Sequence, residues 1–277
     1  MMKTWFITGV STGFGRALAE AAIAQGDKVA GTLRQEAQRA AFSAMSPGQS
    51  FGYVLDVRSD ADIPRVVAQI EREVGPIDVL VNNAGYGYEG SIEEATAADI
   101  RAQFDVNVFG AIGVIQAVLP FMRERRSGHI LNVTSMGGLT TFPGVGIYNA
   151  SKFALEGINE ALSKEVRPFG IKVTAIEPGA FRTDWAGRSL QRTARTIEDY
   201  AATLEPLSAV RAARSGKQPG DPRKAAQAIL KVVASGQPPV HLLLGTDALG
   251  FVREKLKTLQ EEINQWEALT VSTDLTD

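Results

Sequence analysis

Tyr148 stands four residues before Lys152 in the run Tyr148-Asn149-Ala150-Ser151-Lys152-Phe153-Ala154-Leu155. The run reads as helix, where positions i and i+4 share one face, so a phenol and an ammonium meet there. A free tyrosine titrates at about 10, and a cation about 4 Å away at an effective dielectric of about 20 favours the phenolate by about 4 kcal/mol. The pair is therefore expected to bring the phenol toward neutrality, where it gives a proton to a carbonyl oxygen or takes one from an alcohol. By itself Tyr-x3-Lys also fits a surface helix with a snorkelling lysine. Ser135 changes that balance. It closes the apolar run Ile130-Leu131-Asn132-Val133-Thr134, 13 residues before Tyr148, and Gly137 and Gly138 open the loop between them. Ligands of open α/β sheets bind at the carboxyl ends of strands. A hydroxyl there orients a substrate carbonyl or shares a hydrogen bond with the phenolate; a polar strand-end cap is the plainer reading.

A second constellation lies near the N-terminus. Thr8-Gly9-Val10-Ser11-Thr12-Gly13-Phe14-Gly15 separates the short apolar run Trp5-Phe6-Ile7 from a helical pattern that begins Arg16-Ala17-Leu18-Ala19. Gly9, Gly13 and Gly15 allow positive φ and close approach of a pyrophosphate, while the helix N-terminus offers unpaired N–H groups. Ser11, Thr12 and Phe14 line the same turn. The spacing is Gly-x3-Gly-x-Gly rather than the better-known Gly-x-Gly-x-x-Gly, and glycines as simple punctuation of an α/β turn are the alternative. The next strand ends in Thr32-Leu33-Arg34, without the carboxylate that normally accepts from a free ribose 2′-hydroxyl. Thr32 and Arg34, with Ser11, suit a 2′-phosphate instead. NADP(H) is the expected cofactor and NAD(H) the alternative, in which Arg34 is a solvated helix-start cation.

The elements that must position these groups follow one rhythm. Strand candidates at 5–7, 29–32, 51–55, 77–81, 130–133, 173–176 and 241–244 are separated by helical stretches, which predicts one α/β domain with a parallel sheet covered on both faces. The chain has 277 residues, 44% of them hydrophobic and 22% charged, a composition that buries a core. Lys and Arg number 29 against 31 Asp and Glu, so no basic excess draws the chain to nucleic acid or an anionic membrane, and a small-molecule partner is expected. With no cysteine and two separate histidines, no metal site is expected. The apolar start is too short for a secretory core or a membrane span, and a cytoplasmic protein is expected. Between 180 and 222, Pro206, Pro219 and Pro222 interrupt the periodicity, so 181–219 is expected to be an irregular insertion over the sheet. Asp221-Pro222 reads as a helix start, and the polar tail after Trp266 as loose.

Taken in order, the glycine turn, Asn82-Asn83-Ala84-Gly85, Asn107-Val108-Phe109-Gly110, Ser135, Tyr148 with Lys152, and Pro178-Gly179 resemble the short-chain dehydrogenase/reductase family over about residues 3–245. The resemblance implies a single-domain Rossmann-type, doubly wound sheet of about seven strands. It also implies an NAD(P)-dependent oxidoreductase that moves hydride between nicotinamide and a carbonyl/alcohol substrate. Asn107, Ser135, Tyr148 and Lys152 would form the catalytic tetrad, Asn107 holding a helix backbone whose carbonyl positions a relay water and Lys152 also bonding the nicotinamide ribose. Asp56 and Val57 would contact adenine, Asn83, Ala84 and Gly85 would wall the adenosine, and Pro178, Gly179 and Thr183 would meet the nicotinamide. Asn83 and Asn107 as structural hydrogen-bonding residues and Asp56 as a strand-end cap are the plainer readings. The runs Ser11-Thr12-Gly13-Phe14-Gly15 and 151–157 are most similar to retinol and 17β-hydroxysteroid dehydrogenase-like members and their bacterial relatives. A homodimer or homotetramer, paired through the helices before the fifth strand and after Tyr148, is expected by the same resemblance. Two other classes stay open: a non-catalytic dinucleotide sensor, against which the complete tetrad argues, and an epimerase or dehydratase, against which the short C-terminus argues.

Overall fold

A computed structural model gives the structure and describes residues 2–275. Among the described residues nine strands run in chain order: β1 (Thr4–Ile7), β2 (Lys28–Leu33), β3 (Ser50–Val54), β4 (Val79–Asn82), β5 (Gly87–Glu89), β6 (Gly128–Val133), β7 (Ile171–Pro178), β8 (Leu190–Arg192) and β9 (His241–Leu244). Seven of them form one parallel sheet in the order β3-β2-β1-β4-β6-β7-β9. The chain starts in the middle, winds outward to β3, then returns to β4 and winds the other way. That reversal parts the connections that follow β1 and β4 and opens a crevice at their carboxyl ends.

The helices are α1 (Gly13–Ala24), α2 (Glu36–Ser43), α3 (Asp62–Glu73), α4 (Ala97–Phe104), α5 (Gly110–Arg125), α6 (Gly146–Val166), α7 (Ala201–Ala213), α8 (Pro222–Ala234) and α9 (Thr246–Val271). They cover both faces, so the central strands carry no polar alternation: Trp5, Phe6 and Ile7 are fully buried in a row. On one face α3, α5 and α6 pack Ile63, Val67, Val118 and Leu162 against Phe6 and Leu80. On the other, α1 and α8 pack Leu18, Ala22, Ala226 and Ile229 against Trp5 and Ile7. Ala97–Arg125 is long and apolar enough to cross a membrane by length and composition. Its residues Val114, Val118 and Met122 face the core instead.

Two expectations are corrected. The stretch 181–219 is only partly irregular: β8 pairs in parallel with β5, and α7 continues through Pro206, which forgoes its own N–H bond without ending the helix. Nor is the chain loose after Trp266, because α9 carries on to Val271. Asp221 does cap α8, its carboxylate accepting from Arg223 N at 2.8 Å with Pro222 at the first helical position.

Candidate active site

The crevice is built first from the turn after β1. Thr8 Oγ1 accepts from the backbone N–H groups of Asn83 and Ala84, each at 3.0 Å, and Asn83 Nδ2 donates to the carbonyls of Thr8 and Gly9, each at 2.9 Å. These bonds tie the ends of β1 and β4 together across the switch point. Gly9 and Gly13 hold φ of +74° and +62°, which side-chain-bearing residues rarely adopt, and a Cβ at Gly15 would strike Asn83 Nδ2 and the Gly9 carbonyl. Thr12 stands at the N-cap of α1 without capping it, and no acidic residue occupies the first turn. The helix N-terminus is thus free to receive an anion, and the cradle fits a dinucleotide pyrophosphate. Ser11 is exposed at its rim. Thr32 is turned inward: it is 1% exposed and its hydroxyl accepts from Gly9 N at 3.1 Å, so it braces the turn rather than facing the crevice. Arg34, one step past the strand, is exposed.

At the adenosine end, Asp56 is paired with Arg58 at 2.6 Å, and that contact holds its carboxyl below the usual carboxylate range, with Arg34 adding to the effect. Val57 is buried against Gly110, where a Cβ would come within 2.8 Å of Val57 Cγ2. A groove of about 680 Å³ opens beside Arg34 and Asp56.

The four residues expected to act together do converge. Ser135 stands two residues past β6 in extended backbone, accepts from Gly137 N at 3.0 Å, and has its hydroxyl near enough to the Tyr148 phenol to favour the phenolate. One turn along α6, Lys152 Nζ lies 5.9 Å from the centroid of the Tyr148 ring and donates to the Val133 carbonyl at 2.8 Å. Asn107 sits in a π-helical turn between α4 and α5. Its side chain accepts from Tyr86 N at 3.1 Å and donates to Tyr86 O at 3.0 Å and Ser151 Oγ at 3.1 Å. Ser151 in turn donates to the Tyr148 carbonyl at 2.7 Å, so Asn107 braces the turn of α6 that carries the phenol. Gly85 stands where a Cβ would be 3.0 Å from Asn107 Oδ1 and 3.7 Å from Lys152 Nζ.

The electrostatics correct the expected phenol. Burial pushes Tyr148 up to about 12, with the Ser135 hydrogen bond opposing, and pushes Lys152 down to about 8, with Glu156 opposing. The phenol is not brought to neutrality here, because its burial disfavours the phenolate more than the Ser135 hydroxyl favours it. The resting phenol keeps its proton.

The mouth is crossed by the chain after β7. Gly179 N donates to Leu244 O at 2.8 Å and Ala180 N to Asp247 Oδ2 at 2.7 Å, anchoring the segment that follows Pro178. Phe181 meets Phe14 with ring centroids 5.0 Å apart. Thr183 Cβ would lie 3.6 Å from a Cβ at Gly13, and Arg188 Nη2 donates to Thr12 Oγ1 at 3.0 Å. Beyond, Arg192 and Arg211 pair with the buried Glu89 at 2.8 and 2.6 Å, and Arg195 with Glu94 at 2.7 Å. Sequence reasoning missed Asn149 and Trp185. Asn149 donates to Gly137 O at 2.9 Å and accepts from Phe142 N at 3.0 Å, fixing the loop after Ser135. Trp185 covers Tyr148, and a lone tryptophan in a polar loop carries no periodicity that would have flagged it.

A family model described as short chain dehydrogenase matches residues 3–194. The chain belongs to the short-chain dehydrogenase family. It is 37% identical to "Oxidoreductase BOA17" of Botryotinia fuckeliana, over 99% of this chain and 100% of that one. Retinol dehydrogenase 8 of Homo sapiens is 33% identical, over 86% of this chain and 80% of its own. The crystal structure of a short-chain dehydrogenase from Streptomyces avermitilis superposes with a TM-score of 0.92 at 41% identity, covering 99% of this chain and 98% of that one. A closed form of serine dehydrogenase complexed with NADP+ superposes with a TM-score of 0.75 at 25% identity, covering 87% and 94%. This short-chain dehydrogenase is therefore an NAD(P)-linked oxidoreductase with the single-domain sheet that its sequence implied.

Proposed function

We propose that this short-chain dehydrogenase moves hydride between NADP(H) and a small carbonyl/alcohol substrate, with Tyr148 as general acid and base. The observation that carries the reading is the burial of Ser135, Tyr148 and Lys152 together at the carboxyl end of β6. When bound, the nicotinamide supplies or accepts the hydride. The protein's own part is to hold and move a proton. In reduction the protonated phenol Oη donates to the substrate oxygen, and Ser135 Oγ orients that oxygen. Lys152, as an ammonium, offsets the phenolate left behind and bonds the nicotinamide ribose. Asn107 keeps the α6 turn in place through Ser151 and serves the relay as a positioning residue.

The glycines, the uncapped N-terminus of α1, and Ser11, Thr12 and Phe14 would hold the pyrophosphate. Asp56, Val57, Asn83, Ala84 and Gly85 would line the adenosine, and Pro178, Gly179 and Thr183 the nicotinamide. Preference for NADP(H) over NAD(H) rests on Arg34 and on the missing carboxylate at residues 31–33, and the solved relative with NADP+ points the same way. The segment 181–219 acts as the substrate lid. A non-catalytic nucleotide sensor would have no use for a buried phenol, hydroxyl and ammonium brought together. Oxidation of NADPH by the purified chain across a panel of aldehydes, ketones and oxidised lipids tests the reading. Turnover of at least one carbonyl is expected, and none with any, despite tight NADPH binding, would favour the sensor.

A further inference from the structure

α9 is 26 residues long, and the body holds only its beginning. Ala248 and Val252 are buried, Phe251 meets Phe142 edge-on at 5.3 Å, and all the described residues from 256 onward are exposed. In proteins most helical stability comes from packing an apolar face, and among the described residues 256–271 buries none of its own. It is also not polar. Leu256, Leu259, Ile263 and Trp266 are 59%, 40%, 54% and 57% exposed, and their spacing of three, four and three residues continues back to Val252 and Leu249. That is the alternation of a coiled-coil seam, whose complement is another helix with the same repeat. A membrane surface fits less well: α9 carries Arg253, Lys255 and Lys257 against five acidic residues, where interfacial helices carry a basic polar face.

We propose that α9 pairs with α9 of a second copy of this chain as an antiparallel coiled coil, Leu256 against the partner's Trp266 and Leu259 against the partner's Ile263. The flanking charges select this orientation. Antiparallel pairing brings Arg253 beside the partner's Glu267 twice by symmetry, and the one like-charge contact, Glu262 against its own copy, lies at the wet rim where it costs little. Parallel pairing would set Glu262 against the partner's Glu267 twice and form no opposite-charge pair. The contact is separate from α5 and α6, so its test must read α9 itself rather than oligomeric state alone.

The chain has no cysteine, so an introduced one reports without background. Leu259→Cys and Ile263→Cys are made as separate full-length variants, tested alone and after coexpression under mild oxidation. A disulfide-linked pair in the coexpressed sample only is the expected result. Cross-linking of either variant with itself means parallel helices, and no cross-link in any sample means no pairing; both overturn the proposal. Ile263→Asp, at an exposed position, should weaken self-association in sedimentation velocity by about tenfold or more, the ratio that about 1.4 kcal/mol gives. Its helical content and turnover should stay those of the parent. Unchanged association, or binding to phosphatidylcholine vesicles by a chain that does not pair through α9, contradicts the account.

Discussion

The indole of Trp185 lies over the phenol ring of Tyr148, with centroids 5.2 Å apart and planes inclined at 55°. Its Nε1 is buried without a hydrogen-bond partner, an arrangement that burial disfavours and that displacement of the ring would relieve. A substrate that reaches the phenol would push the indole aside and pack against its face. Trp185→Ala should raise KM by about tenfold, the usual scale for loss of an aromatic contact worth about 1–1.5 kcal/mol, while kcat changes less. Steady-state kinetics against the best carbonyl of the panel checks this, and an unchanged KM would show that Trp185 does not touch substrate.

In the proposed reading Arg34 decides between the cofactors. Arg34→Ala should weaken NADP+ by about ten- to a hundredfold and leave NAD+ nearly as it was, since a charge-assisted bond to phosphate is lost and nothing else. Titration of intrinsic fluorescence with each dinucleotide measures both. Equal or tighter binding of NAD+ by the parent protein would return Arg34 to the role of a solvated helix-start cation.

A pH dependence follows from Lys152. Held down to about 8 by burial, it is an ammonium below that pH and loses its charge above it, so turnover that depends on the charge should fall as pH rises through about 8. Glu156 opposes the burial, and Glu156→Gln should therefore move the alkaline limb of the kcat/KM profile to lower pH. A limb that stays in place would show that this carboxylate does not reach Lys152.

Glu156 and Glu177 are both held up to about 7, chiefly by burial. An unfolded chain would release these protons in the ordinary carboxylate range, at about 4.3, so between that range and about 7 the folded chain binds more protons. Stability then falls as pH rises through that window and is flat above it. Glu177→Gln keeps an acceptor for His241, which lies 2.7 Å from the carboxylate, but carries no charge. Its melting temperature should gain on the parent's more at pH 8 than at pH 5. A difference independent of pH would mean that Glu177 titrates no differently after folding.

Much of this was legible in the residues. Strands buried on both faces leave continuous apolar runs, and Gly9, Gly13 and Gly15 sit where only glycine fits, so the sheet and its phosphate turn are written locally. Ser135, Tyr148 and Lys152 lie on one strand end and one helical face, close enough in sequence for spacing to bring them together. What escaped depends on distant contacts. β5 and β8 are three residues each and exist by pairing across about a hundred residues of chain. Thr32 looked like a ligand contact because its inward hydrogen bond to Gly9 N depends on how β1 meets β2. The phenol was misjudged because spacing reports a neighbouring lysine and not the burial that pushes the phenol up.

The central claim is that Tyr148 carries the proton, and Tyr148→Phe tests it most directly because it removes one oxygen from a buried ring and leaves the packing in place. Turnover should fall by about two orders of magnitude or more, the scale of general acid–base catalysis, while the dissociation constant for NADP(H) stays nearly unchanged. Turnover close to that of the parent would contradict the mechanism.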